Sequence, residues 1–71
     1  MAEEIRAEIV ANVMSVHIVE GQQVAEGEAV VILESMKMEI PVVAEYGGLV
    51  SRVAVRKGDV VQEHDLIAVL D

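Results

Sequence analysis

At 71 residues the chain has room for one domain. It contains no cysteine, which excludes disulfide staples and thiolate metal sites and fits a reducing, cytoplasmic setting. Thirteen acidic against five basic residues give a net charge of −8, with one Tyr and no Phe or Trp, so the basic clusters and stacking platforms of nucleic-acid binding are missing.

The N-terminus, MAEEIRAEIV, lacks the basic start and apolar centre of a secretory signal. No uncharged apolar run approaches the ~20 residues of a membrane helix, so neither a membrane nor a nucleic acid is expected as a partner. Val, Ile and Leu number 15, 6 and 4, and a chain this short is expected to spare few of them for its surface.

In chain order, Val16-His17-Ile18 reads as a strand and Glu20-Gly21-Gln22-Gln23 as a turn. Val24 to Gly27 is a brief extended piece, and Ala29 to Glu34 (AVVILE) is a strand. Pro41 suits a sheet edge or a strand start, and Tyr46-Gly47-Gly48 marks another turn. Val50 to Val55 (VSRVAV), Val60 to Glu63 (VVQE) and Leu66 to Asp71 (LIAVLD) read as further strands, with Arg56-Lys57-Gly58-Asp59 turning between the first two. No window carries a helical apolar stripe. Short strands at regular spacing predict an all-β sandwich or barrel.

The chain also repeats. Pairing Gly21 with Gly58, an offset of 37, aligns Val16 with Val53, Ile18 with Val55 and Val24 with Val61. The same offset aligns Val30 with Ile67, Leu33 with Leu70 and Glu34 with Asp71. Two related halves predict a pseudo-two-fold arrangement of two small sheets. Because Glu34 and Asp71 close matching repeats, residues 1–71 read as a single complete domain. The segment after Glu34 joins the halves, and its symmetry counterpart is the pair of chain termini. Lys37 is therefore expected at one end of the molecule and the termini at the other.

Few other residues group into a site. His17 and His64 are not equivalent under the offset and lack metal-ligand spacing, so no metal site is expected. Ser15, Ser35 and Ser51 lack the glycine pattern of a nucleophile elbow, and no catalytic residues are assigned. Lys57-Gly58-Asp59 is a turn, since the phosphate-loop glycine and Lys-Ser/Thr pattern is absent.

The junction is different. In Val30–Val43 (VVILESMKMEIPVV), strand alternation would set Lys37 on one face with Leu33 and Val43, and Glu34 with Ile32 and Met36. Neither face is clean, so a tight hairpin at Met36-Lys37 is expected. Such turns prefer Asn-Gly or Asp-Gly because both central residues take positive φ. Met-Lys is costly there, and two methionines at an exposed tip do nothing for a small core. Methionine suits adaptable contact surfaces. The trio reads as a handle for another protein.

Glu34-Ser35-Met36-Lys37-Met38 resembles the biotin attachment motif Glu-Ala-Met-Lys-Met. With the Gly21…Val24…Gly27 and Gly58…Val61 pattern, nearly the whole chain is similar to biotinyl/lipoyl attachment domains. The resemblance implies a flattened β-barrel, or barrel-sandwich hybrid, of two four-stranded sheets with the lysine on a hairpin. It implies biotin joined to Lys37 by an amide through a biotin protein ligase, with Glu34, Ser35, Met36 and Met38 around it. It further implies a non-catalytic, monomeric carrier working between biotin carboxylase and carboxyltransferase components. An amine attacks the ligase's acyl-adenylate only when neutral, and lysine amines are ordinarily charged at neutral pH, so activation is expected to fall to the ligase while the domain contributes geometry.

There are three departures. Ser35 stands where biotin domains usually have Ala, and His64 stands where the repeat expects Gly. The run from Ala11 to Glu34 leaves no room for the protruding insertion some biotinyl domains carry. Two alternatives stay open: lipoate in place of biotin, and a non-enzymatic interaction module using the Met-rich tip.

Overall fold

The computed structural model describes residues 2–71. Eight strands follow in order: β1 (Glu3–Arg6), β2 (Ala11–Val16), β3 (Gln23–Val24), β4 (Ala29–Ser35), β5 (Met38–Val43), β6 (Gly48–Val53), β7 (Val60–Val61) and β8 (Leu66–Leu70). They form two four-stranded antiparallel sheets, ordered β1-β8-β6-β3 and β5-β4-β2-β7. Replacing each strand by its counterpart 37 residues away turns the first order into the second. The expected two-sheet, pseudo-two-fold barrel is therefore present, and each sheet draws two strands from each half.

The symmetry reaches individual hydrogen bonds. Gly21 N–H donates to Val50 carbonyl and Gly58 N–H to Val13 carbonyl, both at 2.8 Å. Gly27 N–H donates to Ala44 carbonyl at 2.8 Å, and His64 N–H to Ala7 carbonyl at 2.7 Å. Four turns are closed by a side chain three residues on. Gln22 Oε1 accepts from Val19 N–H (3.1 Å) and Asp59 Oδ2 from Arg56 N–H (2.8 Å). Glu28 Oε1 accepts from Ala25 N–H (2.9 Å) and Asp65 Oδ2 from Gln62 N–H (2.8 Å). A side-chain oxygen that accepts from a nearby backbone N–H fixes a turn in this way.

The core is made of symmetry pairs: Val13 with Val50, Ile18 with Val55, Val24 with Val61, Val30 with Ile67, and Leu33 with Leu70 are all buried. Burial of these side chains provides the main favourable term holding the sheets face to face. Other aliphatics are left outside. Ile9, Val10, Val19, Val43, Leu49 and Val60 are exposed, contrary to the expected economy. Ala7, Ala11, Ala44 and Ala68 take core places instead, allowing close backbone approach with little volume to fill.

Strand boundaries also differ from the sequence reading. β2 begins at Ala11 and ends at Val16, so His17 and Ile18 lie beyond it, and β6 begins earlier, at Gly48. β1 is an additional strand. Its sequence, Glu3-Glu4-Ile5-Arg6, buries Ile5 alone; Glu4 and Arg6 take the opposite face, and one apolar residue in four shows no period of two. Pro41 does fall on an edge strand, β5, where its missing N–H interrupts no ladder between inner strands.

Candidate functional site

β4 and β5 pair from Ala29–Val43 to Ser35–Met38, leaving Met36 and Lys37 as a two-residue turn. Met36 has φ 53° and Lys37 φ 65°. Positive φ at both central residues matches the right-handed strand twist, which is why the hairpin forms this way. For a residue with a side chain the left-handed region costs roughly 1–2 kcal/mol. The hairpin ladder below the turn holds both residues in that conformation.

The turn places Lys37 in solvent, with Met36 91% and Met38 62% exposed on either side. Among the described residues Arg6 pairs with Glu4 at 3.0 Å and the His64 ring lies 3.9 Å from the Glu63 carboxylate, and neither contact involves Lys37. Ser35 and Glu34 are half-buried in the last positions of β4. Glu34 lies opposite Glu39 on β5 and opposite Asn12 on β2. A directly opposed pair of carboxylates disfavours the hairpin locally and gives the base of the turn a negative character. The five residues singled out in the sequence thus form one continuous tip.

Val10 precedes β2, whose Asn12 faces Glu34, and therefore lies abreast of the turn. Val10 is 55% exposed, and sequence reasoning did not select it. Its signal was an apolar Ile9-Val10 pair outside any recognised strand. Glu3 and the C-terminal residues lie at the opposite end. The Glu3 carboxylate accepts from the N–H groups of Glu45 (2.7 Å), Tyr46 (3.1 Å) and Gly47 (3.3 Å), beyond the far end of β5. Glu3 also pairs with Leu70, next to Asp71.

Ser15 and His17 do meet, with Oγ 2.7 Å from Nε2 on the exposed surface. Among the described residues no carboxylate accepts a hydrogen bond from His17, and His64 lies elsewhere, its backbone N–H donating to the Ala7 carbonyl. No helix among the described residues is long and apolar enough to cross a membrane.

An all-β barrel of two pseudo-symmetric sheets, with an exposed lysine between two methionines at a hairpin tip, defines an attachment-domain architecture. The chain belongs to the biotin/lipoyl family, whose model, described as "Biotin-requiring enzyme", matches residues 3–70. It is 59% identical over 70 residues to the "Biotinylated protein TB7.3 homolog" of Mycobacterium leprae, covering 99% of each chain. It is 45% identical over 60 residues to the "Biotin/lipoyl attachment protein" of Bacillus subtilis, covering 84% of this chain and 82% of that one. Among solved structures, the urea carboxylase of Kluyveromyces lactis superposes with a TM-score of 0.91 at 32% identity. That match covers all of this chain and 6% of the enzyme's.

Proposed function

We propose that Lys37 Nζ is joined to biotin through an amide by a biotin protein ligase. The domain, taken as residues 1–71 and acting as a monomer, is then a non-catalytic carrier. It moves carboxyl groups between the biotin carboxylase and carboxyltransferase components of a biotin-dependent carboxylase. Biotin supplies the group that holds the carboxyl; the chain supplies its placement.

The observation that carries this reading is the Met36-Lys37 turn, whose positive φ angles hold an exposed amine at the tip between two exposed methionines. The site fits a tethered group. The amine projects into solvent, so an attached arm meets no wall, and the core lies in the strands beneath. Met36 and Met38 offer polarizable apolar contacts to the proteins that visit the tip. Ser35 and Glu34 anchor its base in the sheet.

The intact mass of the protein made in a biotin-replete cell tests the reading. An added mass of one biotinyl group is expected on most molecules, and an unmodified chain contradicts it. A second reading, lipoate on the same lysine, is favoured by the Ser35 hydroxyl and by the name of the Bacillus relative, which includes both groups.

A further inference from the structure

We infer that the Lys37 hairpin is a peroxide-sensitive site, at which oxidation of Met36 and Met38 to sulfoxides closes Lys37 to its ligase. The inference rests on the attachment role proposed above.

The chain has no cysteine, so thioethers are its oxidisable sulfur groups. Methionine commonly fills gaps in cores, yet among the described residues no methionine belongs to this one. Met36 and Met38 are 91% and 62% exposed, whereas Met14, on β2, is 40% exposed. The two most open of these thioethers therefore flank the one lysine at the tip. The two-residue turn keeps them there: the buried residue nearest the tip on β4 is Leu33, below Glu34 and Ser35, and both methionines stay exposed beyond it. Peroxide reaches both without any opening of the fold.

The chemistry needs only a hydroperoxide such as hydrogen peroxide. A lone pair on Sδ attacks one oxygen of hydrogen peroxide, the S–O bond forms, the O–O bond breaks, and the proton on the transferred oxygen passes to the departing hydroxide, which leaves as water. Sulfur is oxidised by two electrons and the peroxide is reduced by two. The product is a polar, chiral sulfoxide in place of a flexible apolar group. A ligase that reads the tip by apolar contact must then desolvate that oxygen without a partner for it, which is unfavourable. Neither sulfur takes part in the core, so the fold stays intact while recognition is lost. Methionine sulfoxide reductases reverse the change.

The test treats the unmodified protein with graded hydrogen peroxide, removes the peroxide, and maps oxygen uptake by peptide mass spectrometry. Ligation rates are then measured with a biotin ligase, biotin and ATP, before and after repair by the two methionine sulfoxide reductases. Met36 and Met38 should gain oxygen before Met14. The rate should fall about tenfold or more, as for loss of a specific apolar contact, and recover on repair. The rate of M36L/M38L, compared with its own untreated rate, should not respond to peroxide. The inference is overturned if Met14 oxidises first, if protein carrying both tip sulfoxides is modified as fast as untreated protein, or if M36L/M38L still loses rate to peroxide. Untreated protein that takes no biotin contradicts the attachment role itself, and the arm without peroxide shows that separately.

Discussion

Gly27 and His64 occupy the same turn in the two halves, and both have positive φ, 83° and 76°. Their N–H groups donate to the equivalent carbonyls of Ala44 and Ala7. Apart from its two chain neighbours, no described residue comes within 4 Å of a Cβ built on Gly27, so this turn has space for a side chain. The cost of His64 is therefore conformational. His64→Gly should stabilise the fold by roughly 0.5–1 kcal/mol, the left-handed strain exceeding the entropy glycine adds to the unfolded chain. Gly27→His should cost a similar amount. Urea melts of both variants check this, and a destabilised His64→Gly contradicts it.

Gly48 differs from those turn glycines. A Cβ there would collide with the carbonyl oxygen of Asp71, and its φ is 142°. Leu49 and Asp71 exchange backbone hydrogen bonds of 2.9 and 2.7 Å beside it. Gly48→Ala should cost roughly 2–4 kcal/mol, combining overpacking with backbone strain, while Gly21→Ala, with open space around it, should cost less. Thermal melts of the two variants rank them.

The repeat made most of the fold legible, because pairs such as Leu33 with Leu70 keep both spacing and apolar character. The tip was legible because Met-Lys violates turn propensity without serving the core. β1 was not: three of its four residues are charged, and its place is set by pairing with β8 across the length of the chain. Glu3 was equally silent, since the amides of Glu45, Tyr46 and Gly47 reach it only after the chain has folded. Val10 and Val60 remain exposed although their type is that of the core, so residue type alone overcounted the interior.

Leu33 and Leu70 are equivalent and almost fully buried, at 1% and 0% exposure. Leu33→Ala and Leu70→Ala should each cost roughly 2–5 kcal/mol. Lys37→Ala, at the exposed tip, should change stability by within about 0.5 kcal/mol. A strongly destabilised Lys37→Ala in urea melts would mean that the tip is structural.

The choice of cofactor should follow the methionines. Met36→Asp with Met38→Ala brings the tip to Asp-Lys-Ala, the lipoyl-like pattern. The double variant should lose biotinylation by about 10–200-fold and favour lipoate when both ligases and both cofactors compete. Intact mass reads the outcome. Biotin uptake at the wild-type rate would mean that the methionines are not what the ligase reads.

The central claim is that Lys37 is the attachment residue, and tandem mass spectrometry after incubation with biotin ligase, biotin and ATP tests it most directly. The chain has one other lysine, Lys57, in the turn matched by the repeat to Glu20. Arginine keeps the charge at position 37 but is not expected to form the amide. The account predicts biotin on Lys37, none on Lys57 and none on the Lys37→Arg variant. Label on Lys57, or on Lys37→Arg, would contradict it.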